Sequence, residues 1–221
     1  MTCTLMTVAR IGLALLCISV GQGAAAADNS PAGRYRMSEG PDVASELILA
    51  ADGRFTYFLA AGSLDEHSAG QWRIDGKTLR LTTNPKPVPP TFAAGPITRL
   101  AEGIVTLHVV SPRGDGIAAI DLKLGFDQGE PVEAYTQDYG WSLSPNEARK
   151  NPRWVEFAVP MFQLQSQRFP LDLSRGNDFT FVLTPNDLGL VDFTDMPAAI
   201  VDGEIIIKRG PGEMIFKPAR Q

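Results

Sequence analysis

Side chains with strong nucleophilic or metal-binding chemistry are scarce in this sequence. The chain of 221 residues contains two histidines, His67 and His108, and two cysteines, Cys3 and Cys17. A catalytic zinc ion usually needs about three protein ligands, most often His, and the two histidines share no motif. We therefore expect no zinc site and no bound cofactor.

His67 lies in the segment whose residue types most resemble the serine, histidine and acid of a nucleophilic hydrolase. Residues 63–68 combine hydroxyls, two carboxylates and an imidazole. Nucleophilic catalysis by Ser, His and an acid needs a geometry that a rigid scaffold sets, and the sequence contains no Gly-x-Ser-x-Gly elbow. We interpret residues 63–68 as a solvated hairpin tip. His108 lies in an apolar alternating run, which indicates a residue within a sheet.

Three aspartates near the C-terminus, Asp187, Asp192 and Asp195, form a weak candidate for a calcium site. Their spacing departs from that of an EF-hand loop, which places ligands at alternate positions and ends in a Glu. Asn186-Asp187-x-Gly189 is also favourable turn chemistry, because Asx side chains bond to their own backbone. We favour turn capping over calcium binding for these aspartates. We expect no metal site elsewhere in the sequence.

Aromatic residues among polar ones mark the candidate binding surface, which comprises Tyr135, Tyr139, Trp141 and Trp154. Exposed aromatic faces beside polar groups can stack on sugars or anchor a partner. The alternative is that these rings cap the end of a β-sandwich core. Nearby carboxylates at Glu130, Glu133 and Asp138 would suit glycoside hydrolysis only if two of them faced each other across a cleft of about 5–10 Å.

The N-terminus has the pattern of a secretory signal peptide over residues 1–27. Arg10 precedes an apolar run at 11–20, and the alanines at 24–27 provide a small-residue cleavage site before Asp28. Removal of this segment would also remove both cysteines, so the mature chain would have no disulfide, no thiolate ligand and no cysteine nucleophile. We expect a bacterial periplasmic or secreted protein.

Composition narrows the range of partners. The formal net charge is −5 and apolar residues make up 44% of the chain. This acidic balance argues against nucleic-acid binding, which normally requires a basic face. After the signal peptide we find no apolar run of the roughly 20 residues that a spanning helix needs.

Alternating apolar residues predict four or five antiparallel strands over 44–81, preceded by a short strand at 34–37. Asp52-Gly53 and Asp75-Gly76 interrupt the alternation, and Asp-Gly between such runs is a strong hairpin signal because both residues reach positive φ at low cost. We place an N-terminal β-meander at 28–84.

A proline-rich stretch separates this meander from the rest of the chain. We predict a linker or stiff loop at 85–98, since proline cannot donate ladder hydrogen bonds. A C-terminal antiparallel β region at 99–221 follows, with short strands that suggest a sandwich. One short helix is expected at 144–150, where Ser144 is a good N-cap and Pro145 suits the first turn. The predicted fold is all-β: a meander or partly open barrel followed by a sandwich-like sheet region.

Residues 33–81 resemble the lipocalin-like β-meanders of bacterial envelope proteins. The similarity lies in Gly33-Arg34-Tyr35, in the two Asp-Gly turns with their flanking residues, and in Gly70-Gln71-Trp72. It covers about a fifth of the chain and implies a partly open barrel that could hold an apolar ligand. Such modules share no catalytic residues, so the resemblance implies none here.

The leading hypothesis is an exported, non-enzymatic binding or accessory protein of the cell envelope. Its partner would be a small apolar molecule, a glycan or an envelope protein. This hypothesis is favoured because enzymes need a positioned base, nucleophile or metal, and the side chains that usually supply them are scarce in this sequence. One alternative is a carboxylate-dependent hydrolase acting on an envelope polymer, which predicts acids that converge on a cleft. A second is a structural subunit of an envelope assembly, which predicts a flat apolar face.

Overall fold

The computed structural model describes residues 30–38, 42–147, 150–210 and 212–219, and it confirms the all-β prediction. Over these ranges the only helical element is a 3-10 turn at Pro160–Phe162. The predicted helix at 144–150 is not observed where it is described, because Ser144–Glu147 forms turns. Residues 148 and 149, the predicted signal peptide and both cysteines lie outside the described ranges. Among the described residues, no helix is long and apolar enough to cross a membrane.

The predicted meander is confirmed as five consecutive antiparallel strands. They are β1 (Gly33–Ser38), β2 (Val43–Leu49), β3 (Arg54–Ala61), β4 (Leu64–Asp75) and β5 (Thr78–Thr83). At the two predicted Asp-Gly turns only the glycine adopts a positive φ, 85° at Gly53 and 62° at Gly76. Both residues do so at Asp202-Gly203, with φ of 51° and 81°, as a two-residue hairpin loop of type I′ requires.

Strands from the C-terminal end of the chain close this meander into an eight-stranded barrel. They are β15 (Met196–Val201), β16 (Glu204–Arg209) and β17 (Gly212–Pro218). β15 pairs with β5 and β17 pairs with β1, so the barrel is closed rather than partly open. The sheets therefore divide the chain differently from the predicted boundaries at 84 and 99, since the barrel uses both ends of the chain.

The barrel interior is a packed core of inward-facing side chains from all eight strands. Phe193, which precedes β15, is fully buried in this core: its ring lies 5.2 Å from that of Tyr57 and 5.9 Å from that of Phe55. Tyr57 also packs against Phe216 at 6.4 Å. Small barrels of this strand number are usually filled by their own side chains. The apolar ligand site that the lipocalin-like resemblance implies would therefore have to lie elsewhere.

The chain between β5 and β15 forms two further sheets. The strands of the first sheet are β6 (Thr91–Thr98), β7 (Thr106–Val110), β10 (Trp141–Ser142) and β14 (Asp178–Thr184). Those of the second are β8 (Asp121–Phe126), β9 (Val132–Tyr135), β11 (Pro152–Val159), β12 (Leu164–Gln165) and β13 (Phe169–Pro170). The first sheet has the order β10-β7-β14-β6, and the second has the order β12-β11-β8-β9 with β13 paired to β11. β7 and β14 run parallel, unlike the antiparallel prediction for this region.

These two sheets share one apolar core, as a β-sandwich does. Phe157 on β11 is fully buried and contacts aromatic rings from the other sheet. Its ring lies 4.8 Å from that of Phe181 on β14 and stacks on Phe92 of β6 at 5.6 Å. Phe92 lies within the stretch predicted as a linker, so the second half of that stretch is a strand of the sandwich.

Candidate functional site

Two of the four predicted binding aromatics, Tyr135 and Trp154, lie on the outer face of the second sandwich sheet. Tyr135 pairs with Asp121 of β8 and is 60% exposed, whereas Trp154 pairs with Gly125. The other two lie apart from this face. Trp141 packs against the sandwich core, and Tyr139 occupies a tight turn with 77% of its surface exposed. The four rings therefore form no single surface.

Trp154 is engaged in contacts within the protein. Its indole lies directly over the backbone of Gly125, where an added Cβ would come within 2.0 Å of the ring. The Arg168 guanidinium stacks 4.1 Å from the ring centroid and also pairs with Glu156 at 2.6 Å. A cation on an aromatic face is a stabilising arrangement. The contacts of Trp154 indicate a structural role, while Tyr135 is the more accessible of the two rings.

The three candidate calcium ligands each have a separate partner. The Asp187 carboxylate accepts the Val88 backbone N–H at 2.8 Å. Asp192 accepts the Thr194 hydroxyl at 3.1 Å, and Asp195 pairs with Arg73 at 2.9 Å. Across the described part of the chain, no three acidic, His or Cys side chains are grouped in a way that could hold a metal ion.

Both histidines lie in strands. His67 is in β4 rather than at a hairpin tip, because the turn between β3 and β4 is formed by residues 62 and 63. His108 lies in β7, in agreement with its predicted sheet position, and its Nε2 is 2.9 Å from a carboxylate oxygen of Asp178. A second oxygen of Asp178 accepts the Thr98 hydroxyl at 2.7 Å.

An apolar groove of about 950 Å³ lies beside the sandwich. We call it the sandwich groove. One wall is the connection 111–121 between β7 and β8, and the other is 159–162, at the end of β11 and in the 3-10 turn. Leu183, Pro185 and Leu188 complete the lining. Its volume and its mostly apolar walls are typical of small-molecule sites.

The wall at 111–121 is held in place by Thr136, a fully buried hydroxyl residue. The Thr136 hydroxyl donates to the Ile117 carbonyl at 2.7 Å and accepts the Ile120 N–H at 3.2 Å. The Thr136 carbonyl accepts the Ala119 N–H at 2.8 Å. Ala119 has a φ of 59°, which is unusual for a residue other than glycine. These three hydrogen bonds therefore tie this wall to Thr136 although most of the wall lies outside regular strands.

The opposite wall ends in a short rigid turn. Pro160 begins the 3-10 turn, and Gln163 closes it with a φ of 52° and an N–H donated to the Pro160 carbonyl. Met161 projects from this turn with 44% of its surface exposed. An exposed, flexible thioether side chain adapts readily to apolar ligands.

A second, more polar cavity of about 370 Å³ adjoins this region, and we call it the barrel cleft. Phe162 and Leu188 line both cavities. Residues 185–195, which we call the strap, run from β14 to β15 along the cleft. The strap is anchored to the barrel by Thr83, whose hydroxyl donates to the Val191 carbonyl at 2.9 Å and accepts the Phe193 N–H at 2.8 Å.

Glu66 and Arg209 form a buried ion pair in the lining of the barrel cleft. Both carboxylate oxygens are bonded: Nη1 donates to Oε2 at 2.5 Å and Nη2 donates to Oε1 at 3.1 Å. The Tyr57 hydroxyl is 3.3 Å from Glu66 Oε2. Burial, together with the charge of Glu66, raises the pKa of Tyr57 to about 12. The hydrogen bond to Glu66 raises the pKa of Arg209 above its ordinary value.

Neither the ion pair nor the groove wall was predicted from the sequence. A signal for the ion pair exists in the alternation of residues. Ile205, Ile207 and Arg209 share one face of their strand, and Glu66 and Ser68 continue the inward face of β4. No comparable local pattern marks the sandwich groove, because its walls come from three separate segments.

Comparisons with protein-family models, curated proteins and solved structures found no match to this chain.

Proposed function

We propose that this protein is a non-catalytic binding protein of the bacterial cell envelope that holds a small apolar molecule in the sandwich groove. The observation that carries the proposal is the groove itself, with a volume of about 950 Å³ and mostly apolar walls. Ligand sites of this kind bury most of the ligand against apolar side chains and use a few polar groups to orient it.

The preformed shape of the groove supports this proposal. Thr136 fixes one wall through hydrogen bonds to the backbone of Ile117 and Ile120, and the 3-10 turn fixes the other. A site that needs little reorganisation loses less conformational entropy when its ligand binds. The barrel interior is packed with buried side chains, including Phe193, which leaves the groove as the better candidate.

The proposed envelope location rests on the sequence of residues 1–27, which lies outside the described structure. A positive residue, an apolar run and an alanine-rich end are the features that export machinery recognises. N-terminal sequencing of the protein from fractionated bacteria tests the location. We expect a periplasmic or secreted form that starts near Asp28, whereas an unprocessed cytoplasmic form would contradict this part of the proposal.

Binding of the apolar fluorophore N-phenyl-1-naphthylamine tests the groove directly. Ala118→Trp should fill the groove and Met161→Gln should make it more polar, and each should weaken the fluorophore at least about fivefold. Val201→Gln is the matched control, because Val201 is an exposed apolar residue that does not line the groove. Equal affinities of the wild type and all three variants would overturn the proposal.

A carboxylate-dependent hydrolase is the second candidate, because Glu66, Asp187 and Asp192 all line the barrel cleft. Against it, Arg209 occupies both oxygens of Glu66, which leaves this carboxylate poorly placed for proton transfer to a substrate. Incubation of the protein with peptidoglycan and with envelope glycans tests this candidate. Product release by the wild type that is lost in Asp187→Asn and Asp192→Asn would favour the hydrolase.

A further inference from the structure

Among the described residues, one arginine in the sandwich groove has a guanidinium without a partner. Arg113 lines the groove, and within the described ranges its guanidinium has neither an ion pair nor a hydrogen bond. Every other described arginine has such a partner or, for Arg175, an electrostatic contact with Asp172. Because arginine is strongly suited to paired recognition of carboxylates, a free one beside an apolar groove is informative.

The turn that carries Arg113 is well ordered. The Ser111 N–H donates to the Asp115 carbonyl at 2.7 Å, and the Gly114 N–H donates to the Ser111 carbonyl at 2.9 Å. The Ser111 hydroxyl also accepts the backbone N–H of Arg113 at 3.2 Å. The backbone of Arg113 is therefore held in place beside the groove, and only its long side chain needs to adjust to a ligand.

Two carboxylates also line the groove and limit the charge of a ligand. Asp115 accepts the Ser111 hydroxyl at 3.2 Å, while Asp121 stands at the start of β8. With one guanidinium against two carboxylates, the lining carries a formal net charge of −1, so an anionic head group is favoured only in direct contact with Arg113, and a dianion would be repelled more strongly than a monoanion. A carboxylate fits this balance better than a phosphate monoester does.

We infer that the groove binds a long-chain carboxylate, with its head group on Arg113 and its alkyl chain along the apolar walls towards Met161. This inference rests on the proposed function and specifies its ligand. The guanidinium offers two parallel N–H donors to the carboxylate oxygens. The aliphatic lining at Ile117, Ala118 and Leu183 accepts the chain.

Three ligands with the same alkyl chain and different heads test the inference: dodecanoate, dodecanol and dodecyltrimethylammonium. Each is titrated against the groove-bound fluorophore. We expect dodecanoate to compete best, and Arg113→Gln to weaken dodecanoate about fivefold to tenfold while dodecanol changes less than twofold. Arg113→Lys should retain part of the preference, because it keeps the charge but loses the paired donors.

Arg175→Gln provides the control, since it changes net charge equally on a turn that does not line the groove. Dodecanoate affinity should stay unchanged in this variant. The inference is overturned if Arg113→Gln weakens dodecanoate and dodecanol equally, or if the ammonium ligand binds as tightly as dodecanoate. If the fluorophore binds in the groove but the three ligands show no head-group preference, this inference is wrong and the proposed function still stands. If neither the fluorophore nor any of the ligands binds, the proposed function is overturned too.

Discussion

Glu66 on β4 and Arg209 on β16 are 143 residues apart in sequence, and they form a bidentate ion pair at one end of the barrel. The Glu66 side chain is 10% exposed and the Arg209 side chain is 24% exposed. The pair therefore joins the first and the last parts of the barrel, in a position that is largely covered by protein and borders the barrel cleft.

Loss of either partner should be costly, because it leaves the other charge buried and unpaired. We expect Glu66→Leu and Arg209→Met each to lower the free energy of unfolding by about 3 kcal/mol. The double variant should lose clearly less than the sum of the two, since neither charge remains. Urea unfolding of the four proteins measures this coupling, and additive losses would contradict it.

Tyr57 should make the barrel sensitive to alkaline pH. Burial raises the pKa of Tyr57 to about 12 from an ordinary value of 10.0. Between these values the unfolded chain has lost the phenolic proton and the folded chain retains it, so stability falls as pH rises. We expect the wild type to lose roughly 2 kcal/mol more than Tyr57→Phe between about pH 10 and 12. The free energy of unfolding of both proteins is measured in urea at several pH values. An equal loss in the two proteins between about pH 10 and 12 would contradict this prediction.

The close approach of Trp154 to Gly125 predicts that a side chain at residue 125 destabilises the fold. Gly125→Ala would place a methyl group within 2.0 Å of the indole, so the ring would have to move. We expect a loss of about 1–3 kcal/mol in unfolding free energy. Gly33→Ala is the matched strand control, since the nearest atom to its added Cβ would be 3.6 Å away. Thermal unfolding would contradict the prediction if both variants lost the same stability.

Thr136 should govern the shape of the sandwich groove. Thr136→Val keeps the side-chain volume but loses the hydroxyl that bonds to Ile117 and Ile120, and it leaves these buried backbone groups with fewer partners. We expect a destabilisation of about 1–3 kcal/mol and weaker binding of the fluorophore. Thr136→Ser retains the hydroxyl, so its fluorophore affinity should stay close to that of the wild type. If Thr136→Val and Thr136→Ser lost the same fluorophore affinity, the loss would be due to packing and not to the hydroxyl.

The meander was predictable because its signals are local. Alternation in β2 and β3 and the glycine at each turn specify hairpins whose partners are neighbours in sequence. Barrel closure was not predictable in this way, because the pairing of β5 with β15 joins segments more than a hundred residues apart. The local residue pattern of each strand does not identify the strand with which it pairs.

Polar residues and prolines caused the two clearest misassignments. Asp65, Glu66 and His67 suggested a solvated tip, yet the strand continues through them and only Glu66 of the three is buried. The prolines at 85–90 suggested a linker that extends to residue 98, yet residues 91–98 form β6, which contains Pro96, is the last strand in its sheet order and, among the described strands, pairs only with β14. An edge strand tolerates proline because its outer N–H groups have no ladder partner.

The sandwich is inserted between the two parts of the barrel, and this order dictates how assembly can proceed. Until β15–β17 arrive, β1 and β5 have no neighbours on their outer sides, and the meander presents two open edges. Closing such a distant seam carries a large loop entropy and slows folding. Exposed edges invite pairing with other chains. A chain in which β15–β17 have not yet docked is therefore vulnerable to self-association through these two edges, and docking of the final hairpin ends that vulnerability.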